Sequence, residues 1–142
     1  MLDSRPATAK IQHVVKPAPV LYVDDDPLAV QLFEICWKRS GIDRPLVTYL
    51  DGRAVLTHME EVLAGRKPEP EVLVVDVRMD GLDGFELVSR LREMASRLPS
   101  ITFFTSSTHP DDGVRASELG ARLAAKPIHI ADFERFLHDL VA

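Results

Sequence analysis

One cysteine, Cys36, is all this chain has. That excludes an internal disulfide and suits a reducing compartment. Cys36 falls in a helical pattern with no basic residue set to activate it, so it is expected in the core rather than as a nucleophile. No apolar run approaches the ~20 residues a membrane helix needs. The opening MLDSRPATAK has no continuous apolar stretch, so no secretory signal is expected. Positive charge is in deficit: 17 Lys and Arg stand against 22 Asp and Glu, for a formal net charge of −5. Broad attraction to nucleic acid or to an anionic membrane surface is therefore not expected. The five histidines, His13, His58, His109, His129 and His138, share no ligand spacing. They read as surface residues, and zinc is not expected. There is no internal repeat and no low-complexity tract. These absences together point to a cytoplasmic protein.

What is present suits one folded domain. Hydrophobic residues make up 46% and charged residues 27% of 142, enough for a real core with a solvated exterior. Residues 1–17 mix Pro, Ala, Lys and Ser without clear periodicity and read as a flexible arm, in which Ile11, Val14 and Val15 could pack locally. Residues 18–142 read as the domain. Strands are expected at about 18–23, 45–49, 71–76, 101–105 and 121–125. Helices are expected at about 27–40, 52–64, from Asp83 through Arg92, 110–119 and 130–141. Asp26 before Pro27, and Asp83 before its helix, have the form of N-caps, and Gly41 stops the first helix. Strict alternation of strand and helix predicts an α/β fold, a five-stranded parallel sheet with helices on both faces.

The strand ends carry the chemistry. Val20-Leu21-Tyr22-Val23 ends in Asp24-Asp25-Asp26, and Val72-Leu73-Val74-Val75 ends in Asp76. Ile101-Thr102-Phe103-Phe104 ends in Thr105, and Leu123-Ala124-Ala125 ends in Lys126-Pro127. Sites of parallel α/β sheets form outside the carboxyl ends of the strands, so these residues should share one crevice. Two carboxylates ~4 Å apart repel by about 4 kcal/mol at an effective dielectric near 20. Asp24, Asp25 and Asp76 thus invite a hard divalent ion, and Mg²⁺, which takes few carboxylates and shares phosphate oxygens, fits best.

This constellation resembles the receiver domains of two-component response regulators over about residues 18–141. The resemblance rests on Asp24-Asp25 in VLYVDDDP, Asp76 in VLVVDVRMDGLDGFEL, Thr105 in FFTSS and Lys126 in LAAKP. The stretch FTSSTHPDDGVRASELGA is further similar to small regulators that partner phytochrome-type kinases. The resemblance implies a flavodoxin-like (βα)5 fold with sheet order 2-1-3-4-5. It implies a stand-alone response regulator whose Asp76 accepts a phosphoryl group from a sensor histidine kinase, with self-phosphorylating and self-dephosphorylating activity but no small-molecule metabolism. Mg²⁺ would bind Asp25, Asp76 and the backbone carbonyl of Arg78, with Asp24 held through water. Lys126 would pair with Asp76 at rest and with the phosphoryl group afterwards, Thr105 would turn its hydroxyl onto that group, and the Lys126–Pro127 bond is cis in the family. Ser106 is the small residue that follows the family's hydroxyl residue.

Three positions depart from the family pattern. Asp80 replaces a usual proline. Leu123 replaces a usual aromatic residue and cannot flip a ring, which puts the aromatic part of the switch in doubt. Arg78, at the variable position two after the phosphoacceptor, would overhang the phosphoryl group and tune hydrolysis. On the first helix, Leu32, Phe33 and Cys36 are expected to face the sheet and Leu28, Val30 and Ile35 to face outward. An exposed apolar patch there marks a contact, and in the family this helix docks on the kinase, here through Leu28 and Ile35. The signal would leave toward an unknown downstream protein over the fourth and fifth helices, a face that dimerises in relatives; monomer and homodimer both stay open. Two other readings also stay open. One is a receiver-fold module that binds partners without phosphorylation. The other is a phosphatase of the haloacid dehalogenase type, though such enzymes place a second aspartate where this chain has Arg78.

Overall fold

A computed structural model of the chain describes residues 17–106 and 109–142. The expected arm, with Ile11, Val14, Val15 and His13, lies outside the described residues apart from Pro17, which is exposed coil. Five parallel strands, β1 (Val20–Val23), β2 (Leu46–Tyr49), β3 (Val72–Asp76), β4 (Ser100–Thr105) and β5 (Arg122–Ala125), form one sheet in the order β2-β1-β3-β4-β5. Between and after them run α1 (Pro27–Ser40), α2 (Gly52–Leu63), α3 (Gly84–Met94), α4 (Asp112–Glu118) and α5 (Ile130–Leu140). The strand order is the 2-1-3-4-5 expected from the sequence, a flavodoxin-like α/β arrangement.

The apolar runs become strands because both sheet faces are covered. Leu21, Val23, Leu73, Val75, Ile101 and Phe103 point into one core with Val55, Met59, Phe85, Leu87 and Leu91. Val20, Tyr22, Val72, Val74 and Phe104 point into the other with Val30, Phe33, Trp37, Phe133 and Leu137. Cys36 is buried in the second core, and burial pushes its thiol up. Asp26 caps α1 through the Leu28 N–H, and Gly41 closes that helix in the left-handed conformation at φ 71°. Asp83 and Glu86 form a reciprocal capping box on α3. Gly84 is forced by a close approach: a Cβ there would collide with the carbonyl oxygen of Asp76.

Several expectations are corrected. On α1, Val30 is buried and Leu32 is 42% exposed, the reverse of the sequence reading. Trp37 sets the phase: its indole N–H donates to the Arg44 carbonyl, and its ring stacks along Phe33. That turns the stripe Val30, Phe33, Trp37 toward the sheet and leaves Leu28, Leu32 and Ile35 outward at i, i+4 and i+7. His58 is a core residue rather than a surface one, with Nδ1 2.6 Å from the Tyr49 hydroxyl. Burial holds its pKa below the ordinary range. Ile130, at the first turn of α5, is half exposed, whereas Phe133, Leu137 and Leu140 are buried. The Lys126–Pro127 bond is trans, the lower-energy form of an X-Pro amide.

Candidate functional site

Asp24, Asp25, Asp76, Thr105 and Lys126 all lie at or just beyond the carboxyl ends of strands. Parallel register brings those ends together. Asp76 pairs with Phe104, Thr105 pairs with Ala125, and the Lys126 N–H donates to the Thr105 carbonyl at 2.8 Å. One carboxylate oxygen from each of Asp24, Asp25 and Asp76 lies within 4.8 Å of the others. Such a set of hard oxygen donors fits a small divalent cation. Each of the three offers one oxygen to this common space, while Arg78 lies in the loop that leaves β3.

Asp24 is the most enclosed of the three, at 1% exposure. Its Oδ2 accepts from the Tyr22 hydroxyl at 2.5 Å and from Lys126 Nζ at 2.7 Å, and its Oδ1 accepts from the Asp26 N–H at 3.0 Å. Lys126 Nζ also lies 3.1 Å from Asp76 Oδ1. The lysine therefore bridges two carboxylates and sits nearer Asp24, rather than pairing with Asp76 alone. Burial, then the Asp24 charge, push the Asp76 carboxyl up to about 6 against the pull of Lys126. Burial pulls the Lys126 ammonium down, but hydrogen bonds and charge from Asp24 and Asp76 outweigh it and hold its pKa above the usual range. The cup is thus short of positive charge, and a divalent ion would supply it.

Asp25 is held differently. Its Oδ2 accepts from the backbone N–H of Asp80 at 2.9 Å. A proline at position 80 has no N–H and could not make this bond. Thr105 is buried at the end of β4, and Leu123 is partly buried against the core, not poised at the surface.

Arg78 does not overhang the cup. Its Nη2 lies 3.0 and 2.8 Å from the two carboxylate oxygens of Asp112 at the start of α4. The Asp112 side chain is 3% exposed, and a carboxylate that deep takes the guanidinium as its counter-ion. Burial would raise the Asp112 pKa, but the His109 N–H and the Arg78 guanidinium bring it below the ordinary range.

Tyr22 and Asp112 were not picked out by the sequence reading, and Asp80 stood out there only as a departure from the family pattern, without its bond to Asp25. Tyr22 carried a signal: a buried tyrosine needs a partner for its hydroxyl, and Asp24, two residues on, points to the same face. Asp112 carried none, because its partner is 34 residues away in sequence.

The family model of the response regulator receiver domain matches residues 20–137. The chain is 33% identical over 102 residues to the alkaline phosphatase synthesis transcriptional regulatory protein PhoP of Bacillus subtilis (strain 168), covering 72% of this chain and 39% of that protein. It therefore spans well under half of that relative. Chemotaxis protein CheY4 of Vibrio cholerae superposes with a TM-score of 0.72 at 24% identity, covering 88% of this chain and 99% of that chain. The bacteriophytochrome response regulator AtBRR superposes at 0.71 and 24% identity, covering 89% and 94%. The Mn(2+)-bound form of response regulator Rcp1 superposes at 0.71 and 22% identity, covering 87% and 91%. At these identities the structural likeness shows the fold.

Proposed function

The chain belongs to the response regulator receiver domain family, and from that premise we propose that it is a phosphorylation-switched signalling module over residues 18–142. Asp76 accepts a phosphoryl group from a phosphohistidine of a sensor histidine kinase. The observation that carries this reading is the meeting of Asp76, Lys126 and two further carboxylates at one end of the sheet. A carboxylate oxygen of Asp76 attacks phosphorus, the P–N bond breaks, and the imidazole leaves with its electron pair. A carboxylate is a weak nucleophile, so positioning and charge neutralisation supply most of the catalysis. Lys126 compensates the phosphoryl charge, and the Thr105 hydroxyl donates to a phosphoryl oxygen. The resulting contacts favour a second conformation by their own differential energy.

Asp25, Asp76 and the Arg78 carbonyl would hold Mg²⁺, with Asp24 linked through water; the Mn(2+)-bound neighbour Rcp1 supports a divalent ion here. When bound, that ion neutralises phosphoryl oxygens and relieves the carboxylate repulsion. The module is not a metabolic enzyme. Arg78 speaks against a haloacid-dehalogenase reading: it stands where such enzymes place a second aspartate, and its guanidinium is paired with Asp112.

For the kinase contact, the outer stripe of α1 supports docking through Leu28 and Ile35, now joined by Leu32, at 73%, 56% and 42% exposure. For the output, Val114, Ile128 and Ile130 stand exposed on α4 and around the start of α5, a surface for a downstream protein or a second copy. No helix among the described residues is long and apolar enough to cross a membrane. We place the module in the cytoplasm with its kinase's catalytic part.

The test is labelling by acetyl phosphate with Mg²⁺. The wild-type chain is expected to gain one phosphoryl group that Asp76→Asn cannot take. Absence of labelling would favour the passive binding module, and turnover of many phosphate esters would favour the phosphatase.

A further inference from the structure

Tyr22 is a polar residue in the middle of a strand that is otherwise valine and leucine. Its ring stacks on Phe33 at a centroid distance of 4.0 Å and an interplanar angle of 16°, and meets Phe104 edge-on at 6.0 Å. The residue is 1% exposed, so a phenylalanine would fill the same space. What phenylalanine would lack is the hydroxyl, and that group has a defined address. It donates to Asp24 Oδ2 at 2.5 Å, the same oxygen that accepts from Lys126 Nζ at 2.7 Å.

We infer that Tyr22 is a positioning residue for phosphoryl acceptance: its hydroxyl shares Asp24 with Lys126 and keeps that buried carboxylate hydrogen-bonded when the lysine turns to the phosphoryl group. This rests on the reading of Asp76 as phosphoacceptor.

Lys126 bridges Asp24 and Asp76 before transfer. A phosphoryl group on Asp76 brings new negative oxygens, and the contact the lysine must loosen is the one to Asp24. A buried carboxylate that loses its cation keeps the full cost of desolvation unless other donors remain. With Tyr22 in place, Asp24 retains the phenol and the Asp26 N–H. Without the phenol, Oδ2 has Lys126 as its one donor among the described contacts, and Asp24 holds the lysine back. The hydroxyl therefore makes Lys126 transferable. Asp25 and Asp76, which offer the metal ligands, do not touch it by any of these bonds.

The test is Tyr22→Phe in the full chain, with three readouts. Labelling by acetyl phosphate at saturating Mg²⁺ is expected to slow by on the order of tenfold, the size of one hydrogen bond to a charged group. Mg²⁺ affinity by isothermal titration is expected to stay within about twofold, because the phenol bonds Asp24, which would meet the ion only through water, and neither Asp25 nor Asp76. In an Asp24→Asn background, Tyr22→Phe is expected to add no further slowing, since the hydroxyl acts through that carboxylate. Labelling at the wild-type rate would overturn the inference. So would equal slowing in both backgrounds, which marks a purely structural role. If the wild-type chain takes no phosphoryl group at all, the phosphoacceptor reading has failed and this inference falls with it. If wild type labels and Tyr22→Phe labels equally, the inference alone has failed.

Discussion

The two sides of the acidic cup are built on different principles. On one side Asp24 and Lys126 extend directly from β1 and β5, the carboxylate is enclosed, and every contact named for it is a short bond to Tyr22, Lys126 or its own turn. On the other side Asp25 and Arg78 belong to loops. Asp25 rests on one backbone N–H of the loop after β3, and Arg78, 42% exposed at its side chain, reaches across to Asp112. Strand ends are held by sheet register and by two cores, while loop contacts can be exchanged at small cost. The enclosed side thus fixes where the charges sit. On the open side the Arg78–Asp112 pair ties the loop after β3 to the start of α4, and under the proposed phosphorylation a change of charge at Asp76 would be relayed there.

The sharpest way to break this comparison is to neutralise Asp76, the carboxylate that shares Lys126 with the enclosed side. An acid whose folded-state pKa stands above its ordinary value binds its proton more tightly when folded. Without divalent ion, the Asp76 contribution therefore favours the fold at low pH and declines as pH rises from 3.8 to about 6. Asp76→Asn removes that decline and the like-charge repulsion with Asp24. At neutral pH without Mg²⁺ it is expected to raise Tm by about 5 °C. Thermal melts of both proteins across that pH window check this, and parallel pH profiles would contradict it.

A smaller effect is expected on the open side. Arg78→Ala and Asp112→Asn break the same pair, so a double-mutant cycle should return a coupling of about 1 kcal/mol in chemical denaturation. Both variants should alter the lifetime of the phosphorylated form alike. A change confined to Arg78→Ala would instead restore a direct role of the guanidinium over the phosphoryl group.

The smallest effect concerns Asp80. Asp80→Pro deletes the N–H that orients Asp25 and is expected to weaken Mg²⁺ binding by about threefold, the size of one modest hydrogen bond, measured by calorimetry, whereas Asp80→Ala should bind as wild type. Equal affinities for all three would show that Asp25 needs no such support.

Much of this molecule was legible in the sequence, for local reasons. Continuous apolar runs marked strands covered on both faces, Asp26 and Asp83 marked helix starts, and charged residues at strand ends marked the crevice. What stayed hidden depended on contacts that local pattern does not encode. Leucine, valine and isoleucine are spread around α1, so its buried stripe was decided by Trp37 and the Arg44 carbonyl. His58 is buried by its bond to Tyr49 on the edge strand. Arg78 turned from the cup because Asp112 is buried far along the chain. Lys126 was expected on Asp76 and lies nearer Asp24, a matter of tenths of an ångström that only the packed strands determine.

The central claim is that the carboxylate at position 76 forms the acyl phosphate. Borohydride reduces an aspartyl phosphate to homoserine, so labelling with acetyl phosphate and Mg²⁺ followed by reduction and peptide sequencing tests it directly. Homoserine at position 76 alone is the expected result; homoserine at Asp24 or Asp25, or at no position, would contradict the account.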